Sequence, residues 1–223
     1  MQIALIWSMK PMLNSQLDVM PLLPLEPVSM APMSPQQRSI IDAKYRMGDG
    51  LLTAAERPAA LWLHSTHDSF GDAELGKLLE KNAVFTIDSL IFVSGRLADV
   101  FRTCDLGCGR LTQVPVLRHD RSAEFDTIVY LLEYPNHKDT VDRDNTSRCK
   151  PVFPYGPNKY FNLPLNLTGR DVFVHRTAVG GADLWFDPLI SATQFASNVL
   201  AERLIALGHK DTFKLNPCTF LDT

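Results

Sequence analysis

Four consecutive apolar residues, Leu90-Ile-Phe-Val93, run into Ser94 and then into apolar positions at helical spacing: Leu97, Val100, Phe101 and Cys104. The run is too short for a helix and rich in β-formers, so it predicts a buried strand. Ser94 offers an oxygen to the orphan N–H groups of a first helical turn. The stripe beyond it predicts a helix that keeps Arg96, Asp99 and Arg102 in water. Gly107 and Gly109 are expected to end that helix.

The same grammar organises the flanks. Asp126 to Tyr134 is the strongest β run in the chain. Gly109 to Leu117 predicts a strand in which Pro115 marks an edge or a bulge. Asp72 should cap a helix to about Lys81 with Leu75, Leu78 and Leu79 inward. Ser34 and Pro35 open another, through about Tyr45, that Gly48-Asp49-Gly50 breaks. Toward the C-terminus, Val172–Arg176 and Ala182–Phe186 flank Val179-Gly180-Gly181, a hairpin signal. Ser191 is expected to cap a helix carrying Phe195, Val199, Leu200, Leu204 and Leu207 and closed by Gly208, with a last strand at Thr212–Leu215. Strand, Ser-capped helix, glycine stop and strand thus occurs twice, at 90–117 and 183–215.

Residues 1–36 follow neither period. Beyond an expected strand at Ile3–Trp7, Pro11, Pro21, Pro24, Pro27, Pro32 and Pro35 interrupt an apolar segment, so regular helix is not expected before residue 36. Leu13, Leu17, Val19, Leu22, Leu23 and Leu25 are too apolar for a solvated linker. An extended arm packed over the domain fits best, and a partner-facing strap is the sharper reading. All seven methionines lie in the first 47 residues, which suits an adaptable contact surface or an irregular core. Residues 135–160 are polar and turn-rich, a length of loop that usually carries function.

These elements predict an α+β fold of mostly antiparallel sheets packed with a few helices, as one body or as two lobes built from strand–Ser-capped helix–strand units. The expected organisation is an extended arm and small helical lobe at 1–82 and the main α+β domain at 83–223. Composition agrees: 223 residues with 45% apolar content can bury a sizeable core. A net charge of −3 argues against a nucleic-acid partner and permits attraction to a basic protein. No apolar run is long enough for a bilayer, and the N-terminus lacks a signal peptide's basic start, so a cytoplasmic site without membrane attachment is expected. Four cysteines in a chain of this length are expected as free thiols.

Candidate chemistry is thin. His64 and His67 are spaced to share a metal, and Cys104 and Cys108 offer thiols, but no second close cysteine pair completes a zinc set. Asp139, Asp142 and Asp144 could act as acid and base or hold a divalent cation if they converge. Lys138, Arg143 and Arg148 interleave with them, which favours a salt-bridged contact loop. The glycine pairs lack a P-loop's lysine, and Ser89, Ser94 and Ser191 lack a nucleophile elbow. No enzyme, metal or cofactor is expected. The alternative is a hydrolase built on His64/His67 or on the Asp139–Asp144 stretch.

The order of dispersed motifs then resembles one family. Asp88 to Ser94 with its capped helix, Tyr130-Leu-Leu, Val141-Asp142 with Ser147, Leu184-Trp-Phe186, and Leu204-Ile-Ala-Leu-Gly208 before Phe213 resemble the bacterial immunity proteins of polymorphic toxin systems, family eleven. The likeness covers about residues 84–216. The stretches 150–164 and 118–124 depart from it, and such proteins diverge where they touch their toxin. The resemblance implies a cytoplasmic protein that binds and occludes a cognate toxin, one delivered into rival cells by secretion. Asp139, Asp142, Asp144 and Tyr155 are the candidate toxin contacts. Trp7, Trp62, Tyr134, Tyr160 and Trp185 are further aromatic anchors where they are not core.

Overall fold

The computed structural model describes residues 6–9, 22–27, 29–47, 50–64, 71–81, 84–87, 90–147, 149–151, 160–163, 171–191 and 193–221. In chain order its first eight strands are β1 (Ile6–Met9), β2 (Leu22–Leu25), β3 (Ala60–Leu63), β4 (Val84–Ile87), β5 (Leu90–Ser94), β6 (Arg110–Val114), β7 (Val116–Leu117) and β8 (Val129–Glu133). The rest are short: β9 (Lys150–Pro151), β10 (Phe161–Asn162), β11 (Phe173–Val174), β12 (Leu184–Phe186), β13 (Ile190–Ser191), β14 (Gln194–Ser197), β15 (Asn216–Pro217) and β16 (Thr219–Phe220). The helices are α1 (Pro35–Met47), α2 (Asp72–Glu80), α3 (Gly95–Arg102) and α4 (Asn198–Ala206). The fold is α+β with mostly antiparallel sheets. No described helix is long and apolar enough to cross a membrane.

The chain divides into two compact units. One comprises residues 13–103 and 109–134, the other 1–12, 104–108 and 135–223. The expected segments 1–82 and 83–223 are each shared between them.

The first unit is built on a sheet of order β4-β5-β8-β6, antiparallel throughout. All five residues of β5 are buried because α3 covers one face of this interior strand, which explains its unbroken apolar run. Leu97 and Phe101 of α3 are buried as their spacing predicted. Two details differ. The chain enters α3 through Gly95 at φ +55°, and the Ser94 hydroxyl donates instead to the Leu79 carbonyl at 2.6 Å. The helix also stops at Arg102, ahead of the glycines, where the Thr103 hydroxyl donates to the Val100 carbonyl.

Pro115 splits the expected 109–117 strand. β6 stays on β8, while β7 pairs in parallel with β3 in a second sheet of order β2-β3-β7. Proline has no N–H for the ladder, but its carbonyl accepts from Leu61 N at 2.8 Å. α1 starts at Pro35 with a capping box: Gln37 N donates to the Ser34 hydroxyl and Ser34 N to Gln37 Oε1. Helix α2 buries Leu75 and Leu79. Its cap position is Gly71, whose N–H donates to Glu74, while Asp72 accepts from His119 N.

In the second unit the main sheet has the order β12-β14-β1-β15, also antiparallel. Two described stretches of the N-terminal arm are therefore sheet strands. β1 is an interior strand, Ile6 facing Ser197 and Ser8 facing Asn216 on its two sides. β2 is likewise a strand, at the edge that Pro24 requires. Residues 10–21 lie outside the described set, as do Gly48 and Asp49.

The expected 172–186 hairpin does not form. β11 pairs in parallel with β16 and β12 antiparallel with β14, with a 3-10 turn at Arg176–Ala178 between them. Residues 194–197, expected as helix, are strand. Phe195 is buried in the sheet, stacked on Trp185 at 6.1 Å, and pairing with β1 and β12 outweighs its helical spacing to Val199. Hence Ser197, not Ser191, caps α4. Its hydroxyl accepts from Leu200 N at 3.3 Å and donates to Asp183 Oδ1 at 2.5 Å. Residues 210–214 form a turn where a strand at 212–215 was expected, and the last strands begin at Asn216.

The recurring pattern read from the sequence reappears as topology, shifted in register. In each unit two antiparallel strands lead through a serine into a helix and out to a third strand: β4, β5, α3, β6 and β12, β14, α4, β15. The gap between helix-bearing and returning strands is filled by β8 in one unit and by β1 in the other. A short trailing strand then pairs in parallel with β3 or with β11.

Replacing Ser197 by Ala removes both the cap and the bond to Asp183. The expected cost is about 1–2 kcal/mol, read as a lower urea midpoint at unchanged slope. Ser197→Thr should recover most of it.

Candidate functional site

The polar loop after β8 is held far more firmly than its composition suggests. Asp187, whose side chain is 0% exposed, accepts from Thr140 N at 2.8 Å and Val141 N at 2.9 Å through one oxygen. Its other oxygen accepts from Leu189 N at 3.0 Å. Val141 bridges Val174, and Asp142 N donates to the Phe173 carbonyl at 2.9 Å, tying the loop to β11. Thr146 closes the far end, its hydroxyl donating to the Asp142 carbonyl and accepting from Phe173 N. Trp185 supports the loop from below, with Nε1 3.3 Å from the Thr140 hydroxyl.

The three aspartates expected here have different roles. Asp142 turns inward on its own loop, accepting from Asp144 N, Asn145 N and the Asn145 amide. The Asn145 side chain first, then its backbone N–H, holds the Asp142 carboxyl below the usual range. That makes it a poor proton donor and a good loop staple. Asp139 points outward with a 60% exposed side chain and accepts from Arg143 Nη1 at 2.9 Å. Asp144 is exposed. The loop thus displays two carboxylates on a stiff frame and does not converge them. Tyr155 lies outside the described residues.

Beside it, Lys138 donates to the Gly180 and Ala182 carbonyls and sits 3.8 Å from the Trp185 ring centroid. Burial pushes its ammonium down from the ordinary lysine range. Asn136 ties the neighbouring turn together, donating to the Leu106 and Leu184 carbonyls and accepting from Cys108 N.

The aromatic candidates divide similarly. Trp185 and Tyr134 are core residues at 0% and 2% exposure. Trp7 and Trp62 are half-buried, each Nε1 donating, to Asn198 Oδ1 and to the His119 carbonyl respectively. The Arg121 guanidinium lies over the Trp62 ring at 3.8 Å. Tyr160 is half-buried.

For catalysis the arrangement offers little. Among the described residues no three His, Cys, Asp or Glu side chains are grouped to hold a metal, and His67 lies outside that set. Burial raises the Cys104 and Cys149 thiols and pushes Cys218 up to about 12, the opposite of an activated nucleophile.

The sequence reading passed over one feature of the first unit. A groove of about 280 Å³ runs between the turn at Glu26 and Pro27, the first turns of α1, and Ala55-Glu56. Met33 and Ile41 form its buried floor, and Ile40 stands beside it at 59% exposure. The sequence carried no decisive signal for it, because adjacent apolar residues on a helix can both be buried, as Leu97 and Ala98 are.

Comparison with known proteins finds one relationship. The model of a family described as Immunity protein family (Imm11) matches residues 33–223. No curated protein and no solved structure matches the chain.

Proposed function

The chain belongs to the Imm11 immunity protein family, and from that premise we propose that it neutralises a cognate protein toxin by binding it and covering its working surface. The observation that carries the reading is the match over residues 33–223, most of the chain. Inhibition by occlusion needs a firm body that presents a patch of roughly 800 Å² without losing order when it binds. A loop pinned by Asp187 and Thr146 suits that requirement. The toxin is a secretion-delivered effector met in the cytoplasm, and the gene for it lies beside this one.

Co-expression tests the reading directly. Cells carrying the neighbouring toxin should survive only with this protein, and the purified pair should elute as one stoichiometric complex. Toxicity unchanged by co-expression, with no complex, would reject it.

Within this reading Asp139 and Asp144 steer a basic toxin toward the complex, contributing to on-rate more than to lifetime. The double change Asp139→Asn, Asp144→Asn is expected to slow association about tenfold at low salt and to leave dissociation nearly unchanged. Association rates at two ionic strengths measure this. An unaltered salt dependence would remove the loop from the encounter.

A further inference from the structure

We propose that the groove beside α1 in the first unit is the toxin's anchoring point, and that it takes an apolar side chain flanked by lysine or arginine. This rests on the reading that the protein acts by binding a toxin. At about 280 Å³ the groove is below the usual size of a small-molecule site, and it suits one or two side chains of a protein partner. Its floor is apolar and already shielded, Met33 and Ile41 being only 5% and 6% exposed, so an entering side chain would meet a dry, packed surface. Ile40, at 59%, is the most exposed of the large apolar residues described, and Met30 in the adjoining turn is exposed at 39%. Neither exposure gains the isolated chain anything, whereas a partner that covers them gains buried apolar area.

Charge selects the partner. The described residues lining the groove include Glu26 and Glu56 and no cation, and Arg121, outside the lining, reaches the Met30 carbonyl of the adjoining turn at 3.5 Å. Glu56 is paired with Lys44 at 2.7 Å, so Glu26 sets the sign of the rim. The Ser29 hydroxyl, and then Gln37, hold the Glu26 carboxyl below the usual range, so it is charged at neutral pH. A basic group of the toxin beside its apolar anchor therefore meets a fixed negative charge.

The turn itself is set for contact. Met30 is held at φ +53°, a left-handed conformation that a side-chain-bearing residue adopts at a cost. The surroundings hold it there: Glu26 N donates to the Ala31 carbonyl, Met30 N to the Glu26 carbonyl, and Ala31 N to the Ser29 hydroxyl. Glu26 and Pro27 precede the family match, which begins at residue 33 and contains the facing wall of the groove.

The test uses the full chain and the purified toxin domain whose activity it suppresses. Ile40→Arg removes the apolar contact and adds a charge of the partner's sign, and arginine is a good helix former at this exposed position. It should weaken binding about 100-fold, as a central anchor does. Glu26→Lys should weaken it roughly tenfold, and Ile40→Leu should leave it unchanged. Val199→Arg, a similarly exposed position in the other unit, should stay within about twofold. Thermal melts of Ile40→Arg and the parent should coincide.

If the parent binds the toxin and Ile40→Arg binds it equally well, the groove inference falls and the neutralising function stands. If the parent does not bind, both fall. If Ile40→Arg dissociates a self-associated parent yet leaves toxin affinity unchanged, the occupant is a second copy of this chain and the inference is overturned.

Discussion

Replacing Glu133 with alanine is expected to destabilise the unit formed by residues 13–103 and 109–134 by about 3–4 kcal/mol. The carboxylate is 2% exposed and stands at the end of β8, where four donors converge on it. Arg110 Nε and Nη2 lie at 2.9 and 3.3 Å, the Thr112 hydroxyl at 3.1 Å and Leu52 N at 2.8 Å. Removing the acid strands a buried backbone N–H, worth about 1–3 kcal/mol, and breaks the ion pair. Arg110 is 36% exposed and regains water, which holds the total toward the lower end of the roughly 3–5 kcal/mol seen when a buried pair loses one partner. Urea denaturation followed by the amide signals of β5 and β8 reads this unit specifically, since fluorescence would mix Trp62 with Trp7 and Trp185 of the other unit. Glu133→Gln keeps an acceptor and should cost less than half as much. The pair Glu133→Leu, Arg110→Met should recover only the ion-pair part of the loss, because the Leu52 N–H and the Thr112 hydroxyl still lack their acceptor. A midpoint unmoved by Glu133→Ala would mean that the network contributes nothing net.

Asp187→Ala should have a comparable effect in the other unit, about 3–5 kcal/mol, and a sharper local one. Three buried or half-buried backbone N–H groups, of Thr140, Val141 and Leu189, lose their acceptor together, at about 1–3 kcal/mol each before relaxation. Arg143, 3.9 Å away and already bound to Asp139, loses a neighbouring negative charge. Asp187→Asn keeps an oxygen for Thr140 and Val141 but turns an amide toward Leu189, so its cost should fall between. Amide exchange is the decisive measurement. Protection at Thr140 and Val141 should collapse in the alanine variant even under conditions where the unit stays folded. Unchanged protection would show that the bridge from Val141 to Val174 suffices to order the loop. In the toxin-binding reading, the loosened loop should also lose its steering effect, since its carboxylates would no longer be held in place.

Much of the fold was legible because its signals are local. The run at Leu90–Val93, the inward stripe of Leu97 and Phe101, the Ser34-Pro35 opening of α1 and a strand within Asp126–Tyr134 stand where the residues place them, and Pro115, read as an edge or bulge, divides its strand between two sheets. Each follows from a period, a cap or a missing donor within a few residues. The same reasoning failed at Gln194–Ser197. There Phe195 and Val199 share a helical spacing, yet neighbouring strands from both ends of the chain claim the backbone. It failed again at the glycines 180–181, where a local turn signal gave way because β11 and β12 belong to different sheets.

The candidate site shows the same division. The sequence singled out the acidic loop but could not reveal that the Asp142 carboxyl is taken up by its own loop, since that depends on Asn145 folding back over it. Nor could it place Asp187, whose partners lie 46 and 47 residues earlier. The groove beside α1 was not legible: adjacent apolar residues on a helix can both be buried, as Leu97 and Ala98 are, and the carboxylates at its rim come together only when residues 26 and 56 do.

By itself, then, the amino-acid sequence determined the α+β class, the strand–serine–helix units and the family to which the chain belongs. Those properties rest on short-range periodicity and on the order of motifs. Only the tertiary structure decided that the N-terminal strand completes the sheet of the C-terminal unit, and which acids face solvent. Strand pairing and carboxylate partners are chosen by energies summed over distant segments, and nothing in a local window encodes that choice.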